Sequence, residues 1–224
     1  MKPVLTLTLV TCSLAAALAP AFAADSAKVA APATKPTTSA AWRPLFNGKD
    51  LAGWRVEGKA HWRVEDGVIL GTQDGDAKLG GLLATTDKFR DFELELDFMI
   101  DEHGKYNSGV YLRNDPGTAG RTGYQVNIGR GAAEEYSAGV YTDHWLAKGD
   151  EKDTIRKVLQ WNTLRIVARG PHLVVDLNGV NVVDHTDDKP EPKFLQSGVI
   201  GLQTYGAENH PGWVKFRNLR IREL

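Results

Sequence analysis

Polar side chains recur at alternate positions along three short segments of this chain. Glu95 and Asp97 alternate with Phe92, Leu94, Leu96, Phe98 and Ile100; Tyr111 and Arg113 alternate with Val110 and Leu112; Gln125 and Asn127 alternate with Tyr124, Val126 and Ile128. Carboxylate, amide, phenol and guanidinium together form fans of hydrogen bonds to vicinal hydroxyls, while aromatic rings stack on the apolar face of a pyranose. A fourth segment, Tyr141-Thr142-Asp143-His144-Trp145, adds two aromatic rings and, in His144, a group that titrates near neutral pH. The same residues have plainer uses. Glu93, Glu95 and Asp97 read equally as a solvated acidic stripe, Arg113 as the partner of a neighbouring carboxylate, and Asn107 with Ser108 as turn formers. His144 reads also as a surface histidine and Trp145 as packing beneath its loop. Asp184-His185 with Asp187-Asp188 reads as a solvated turn. No dense Asp/Glu/His motif with metal spacing occurs, so no cofactor is evident and a divalent metal stays open.

The elements that must position these residues are strands. In Asp91 to Ile100 the apolar residues fall on one face and Glu93, Glu95 and Asp97 on the other, a period of two that no helix produces. Similar runs occur at Trp62 to Val64, Val68 to Leu70, Ser108 to Arg113, Tyr124 to Ile128, Asn162 to Arg169, His172 to Leu177, Val180 to Val183, Val199 to Gln203 and Trp213 to Arg222. Turn chemistry separates them, and Leu177-Asn178-Gly179-Val180 is a strong two-residue hairpin signal. Such spacing predicts an all-β protein, a two-sheet antiparallel jelly-roll sandwich with a concave outer groove. Only Lys148 to Val158 offers a helical candidate. The last strand changes parity between Val214/Phe216 and Leu219/Ile221, which predicts a bulge near Arg217-Asn218.

Composition narrows the function classes. With 27 Lys+Arg against 28 Asp+Glu among 224 residues, the chain has no electrostatic footprint for a phosphate backbone, and nucleic acid is excluded as a partner. The lone Cys12 leaves the rest of the chain without a thiol for a disulfide, a zinc site or a nucleophile. Lys2, the apolar run Val4 to Leu18 and Ala21-Phe22-Ala23 have the form of a cleavable signal peptide over residues 1–23, which predicts export to the periplasm or medium. The run is too short for a transmembrane span. Acylation at Cys12 is disfavoured because Thr11 is a poor residue before a lipoprotein cysteine. Residues 24–41, rich in Ala, Pro and Thr, form a linker, and residues 42–224 form one domain.

Several stretches of this domain taken together resemble a known family. They include Leu45-Phe46-Asn47-Gly48-Lys49-Asp50-Leu51 with Gly53-Trp54, Asn107-Ser108-Gly109-Val110-Tyr111-Leu112-Arg113, Gly139-Val140-Tyr141, and Phe216-Arg217-Asn218-Leu219-Arg220-Ile221. The chain from Leu45 to Leu224 is similar to the 3-keto-disaccharide hydrolase domain family. The resemblance implies a concanavalin A-like jelly roll, export, and a keto-glycoside substrate. A ketone at C3 acidifies the C2 proton, so a modest base removes it, donors hold the enolate, and the C1 substituent leaves before water adds. On this resemblance Asp97 is expected as base or metal ligand, Arg113 as enolate partner, and His144 and His210 as titrating groups. Glu95, Asn107, Tyr111, Gln125, Asn127, Tyr141, Trp145 and Gln203 are expected to contact the sugar. Two departures stand out. The family often has Tyr-Glu-x-Gln where this chain has Tyr124-Gln125-Val126-Asn127, and Leu-Gln-x-His-Gly where it has Leu202-Gln203-Thr204-Tyr205-Gly206. Either Glu208 and His210 restore the lost groups, or the activity is altered. A non-catalytic carbohydrate-binding module and a protein-binding domain are therefore the competing readings. If the three alternating segments share one face, Asp97, Arg113 and Gln125 should meet in a single groove.

Overall fold

Apolar residues at every second position need a second surface to cover them, and here two sheets cover each other. A computed structural model describes residues 40–74, 80–102, 106–118, 122–129, 135–205 and 211–224. The segment read as a signal peptide, the linker as far as residue 39, and His210 with Glu208 lie outside the described residues. In chain order the strands are β1 (Arg43–Pro44), β2 (Trp54–Gly58), β3 (His61–Glu65), β4 (Val68–Asp74), β5 (Gly81–Thr85), β6 (Phe92–Ile100), β7 (Asn107–Asn114), β8 (Tyr124–Ile128), β9 (Val140–Tyr141), β10 (Trp145–Ala147), β11 (Asn162–Arg169), β12 (His172–Leu177), β13 (Val180–Thr186), β14 (Val199–Tyr205) and β15 (Pro211–Glu223). The first sheet runs β13-β12-β11-β6-β15-β4-β3, with β1 on the far half of β15; the second runs β10-β9-β8-β7-β14-β5-β2. All the pairings are antiparallel. The protein is an all-β, concanavalin A-like sandwich.

Between the sheets, Phe92, Leu94, Leu96, Phe98 and Ile100 of β6 meet Val110 and Leu112 of β7 and Tyr124, Val126 and Ile128 of β8 in one buried cluster. Glu93, Glu95 and Asp97 take the opposite side of β6, because a strand sends successive side chains to opposite faces. The bulge in β15 is present: Asn218 has φ +55° and the register against β6 shifts between Arg217 and Arg220. That shift keeps both Val214/Phe216 and Leu219/Ile221 buried.

The helix predicted around Lys148 to Val158 does not form. A single buried carboxylate organises the segment as a loop. Asp150 Oδ1 accepts from the Thr154 N–H at 3.0 Å, and its Oδ2 accepts from Ile155 and Arg156 at 2.8 and 3.2 Å. Arg156 then bonds Asp153 at 2.7 Å and also pairs with Glu102. A side chain that captures these amides offers the backbone an alternative to helical bonds.

Candidate functional site

Register places the polar positions of β7, β8, β9, β10 and β14 in rows across the outer face of the second sheet. One row reads Trp145, Tyr141, Gln125, Tyr111, Gly201 in β10, β9, β8, β7 and β14. The next reads Asn127, Gly109, Gln203, and a third pairs Asn107 with Tyr205. Alternation, the Tyr141–Trp145 loop and the family resemblance together gave Asn107, Tyr111, Gln125, Asn127, Tyr141, Trp145 and Gln203 as expected sugar contacts, and the fold brings all of them to this face.

The face is preorganised by its own hydrogen bonds. Gln125 Nε2 donates to Gln203 Oε1 at 2.8 Å across Gly109, where an added Cβ would lie 2.5 Å from that nitrogen. Glycine is therefore needed at 109 so that the two amides can meet. Asn127 Nδ2 donates to the carbonyls of Gly129 and Tyr136, both at 3.2 Å. Asn107 Nδ2 donates to Asn127 Oδ1 at 3.0 Å and to Glu135 Oε2 at 2.9 Å. On the β9–β10 side, Trp145 meets Tyr136 and Tyr141 edge-on, each with ring centroids 5.0 Å apart. One carboxylate borders the amides, and a second lies two strands from Gln203 in the same register row. Glu135 lies beside Asn107, and Glu57 on β2 pairs with Arg55 at 2.5 Å while accepting from the Gly117 N–H at 2.7 Å. Sequence reasoning missed both. Glu135 sits in a loop outside the alternating segments, where parity assigns no face, and β2 carries the burial pattern of an irregular edge.

Asp97, Glu95 and Arg113 do not join this face. Asp97 and Glu95 lie on β6, in the middle of the first sheet, so their outward side is the opposite surface of the sandwich. Asp97 Oδ1 accepts from Thr163 at 2.9 Å and its Oδ2 from Asn218 at 2.7 Å and Arg217 at 3.3 Å. Glu95 accepts from Arg220 Nε at 2.8 Å. Along the same ladder Glu93 is held between Arg165, at 2.5 Å, and Arg222. Outward parity is common to both sheets, but the outer surfaces are not, and the groove uniting Asp97, Arg113 and Gln125 is absent.

Arg113 departs for a different reason. At φ +55° it sits in a register shift opposite β14 that turns its side chain into the end of the sandwich, where it is 0% exposed. Nη1 donates to the carbonyls of Gly170 at 2.7 Å and Phe194 at 3.0 Å, Nη2 pairs with Asp91 at 3.1 Å, and Nε donates to the Arg90 carbonyl. It staples chain segments rather than meeting a ligand. His144 lies in the turn between β9 and β10, its side chain 68% exposed and 2.6 Å from Asp143. The hydrogen bond with His144 holds the Asp143 carboxyl below its ordinary range. Among the described residues, no three His, Cys, Asp or Glu converge as a metal would require, and no helix is long and apolar enough to cross a membrane.

Comparison with known proteins agrees with this architecture. Residues 41–222 match the profile of a family described as the 3-keto-alpha-glucoside-1,2-lyase-like domain. A curated 3-keto-disaccharide hydrolase from Bacteroides thetaiotaomicron is 28% identical, over 80% of this chain and 77% of the relative. A solved structure from Parabacteroides distasonis, described as that of a glycosyl hydrolase, is 26% identical and superposes with a TM-score of 0.62, covering 82% of this chain and 100% of that one. The carbohydrate binding module CBM66 from Bacillus subtilis shares the fold at 20% identity, with a TM-score of 0.53 over 75% of this chain and 93% of the module.

Proposed function

Because the chain belongs to the 3-keto-alpha-glucoside-1,2-lyase-like domain family, we propose that it cleaves 3-keto-glycosides on the outer face of its second sheet, with Glu135 as the base. The observation that carries this reading is the half-buried Glu135 carboxylate, fixed by Asn107 beside a field of amides and aromatic rings. Trp145 and Tyr141 offer a stacking surface for the pyranose, and Gln125 and Gln203 take its hydroxyls.

In this reading Glu135 removes the C2 proton, and the electron pair moves into a C2–C3 enolate whose oxygen is held by the amide donors and the Tyr111 phenol. Collapse of the enolate forms the C1–C2 double bond and breaks the bond from C1 to the departing oxygen. That oxygen takes its proton at the rim, where His144 meets solvent. Water then adds at C1, and a proton returns to C2. Holding the base and the enolate donors on one rigid sheet supplies the orientation that the elimination needs.

Glu135→Gln keeps the shape of the side chain and its capacity to accept from Asn107 while removing the base. Release of aglycone from a 3-keto-glucoside should fall about 10²- to 10⁴-fold in this variant, the range for loss of a general base. Unchanged release with an unchanged circular dichroism spectrum would remove Glu135 from the mechanism. One observation favours a second reading. The middle of the face holds the amide pair Gln125–Gln203, and amides recognise sugars without abstracting protons. Wild-type protein that binds keto-glycosides but never releases aglycone would establish that reading, a carbohydrate-binding module.

A further inference from the structure

The outer surface of the first sheet, on the other side of the sandwich from Gln125 and Tyr141, carries a cleft of about 570 Å³. Its lining includes Phe46, Glu95, Asp97, Thr163, Asn218 and Arg220. The cleft has a cause in the topology. Along one side β15 pairs with β4 as far as Phe216 and with β1 from Arg220, so its neighbour changes at the Asn218 bulge. At this gap the chain leaving β1 brings Phe46 against the core from the side opposite β6 and β11.

The chemistry of the lining selects a neutral, hydroxyl-rich ligand. Glu95 is neutralised by Arg220 and Asp97 by Arg217, so the cleft presents paired charge and has no surplus for a free cation or anion. Both carboxylates remain partly open, with side chains 23% and 16% exposed, and they are held in place by their arginines, by Thr163 and by Asn218. Fixed acceptors and donors spaced along three strands, beside a phenylalanine ring, are the elements that bind a pyranose by its hydroxyls and its apolar face. The volume lies within the range of about 300–1,000 Å³ typical of small-ligand sites.

We propose that this cleft is a second saccharide site, which takes an unoxidised neutral sugar unit and performs no cleavage. It goes beyond the proposed function and rests on none of its catalytic steps. In the cell it would hold a glycan on one surface of the sandwich while the other surface carries out chemistry.

Saturation-transfer NMR on the full domain with trehalose and with cellobiose tests the proposal. Wild-type protein should give transfer to at least one of the sugars. That signal should fall about threefold or more in Phe46→Ala, the scale of a lost aromatic contact, and should fall also in Asn218→Gly. Glycine accepts the positive φ at position 218, so the second variant removes the side chain without straining the bulge. The signal should persist in the Tyr141→Ala/Trp145→Ala double variant, and aglycone release from a 3-keto-glucoside should be unchanged in Phe46→Ala and Asn218→Gly. No transfer to either sugar, transfer untouched by both first-sheet variants, or transfer lost only in the double variant would overturn the site. Absence of aglycone release in the wild type would count against the proposed function alone.

Discussion

Arg113 and Asp97 show how differently two charged side chains can be spent when both look catalytic in the sequence. The Arg113 guanidinium is fully enclosed and bonded to three carbonyls and one carboxylate. Removing it takes the cation from Asp91, which keeps the Gly170 N–H, and the side-chain donor from those carbonyls, so Arg113→Ala should cost about 3 kcal/mol of stability, the scale for buried acceptors left without donors. Thermal or urea unfolding measures this, and a variant of wild-type stability would refute the staple. Asp97→Asn, in contrast, should leave aglycone release unchanged, because Asp97 faces the surface opposite the proposed base. Loss of release in that variant would return catalysis to the first sheet. The sequence made the orientation of Asp97 legible and its sheet illegible: a period of two separates inside from outside, but sheet membership depends on which strands pair, and that is a long-range property. Glu135 was hidden for the complementary reason, since a loop residue has no period to read.

At the scale of elements, what positions the candidate site is the register of β7 between β8 and β14. Gly109 sits at the centre of it, beside Asn127 and Gln203. Its missing side chain is what allows the Gln125–Gln203 amide contact, so Gly109→Ala should push Gln125 aside and raise KM for a keto-glycoside with little change in stability. Steady-state kinetics beside an unfolding curve would check this, and an unchanged KM would contradict the role given to the amide pair. The strands with clean alternation, β6, β8, β11 and β12, were legible, as was the β15 bulge, because their apolar residues must all reach one core. The short strands β1, β9 and β10 were not. Their two or three residues carry no measurable period, and neighbours rather than local sequence hold them extended. The loop mistaken for a helix failed on one residue, Asp150, whose carboxylate takes the backbone amides a helix would have used.

At the scale of the whole molecule the sandwich presents two unlike surfaces. The first sheet carries a ladder of arginine–carboxylate pairs interrupted by the cleft beside Phe46, and the second carries amides, phenols and indole with Glu135 at their border. Export, as proposed from the signal-peptide form of residues 1–23, would bring both surfaces to glycans outside the cytoplasm, and cleavage by elimination would suit sugars already oxidised at C3. The central claim is that the second surface breaks the C2–H bond, and proton NMR in D₂O reads that bond. Wild-type protein incubated with a 3-keto-glucoside should yield 3-keto-glucose carrying deuterium at C2, faster than in an enzyme-free control, and Glu135→Gln should give neither product nor label above that control. Product released by the wild type with the original C2 proton retained would contradict the account, because the glycosidic bond would then have broken without the elimination that Glu135 is assigned to begin.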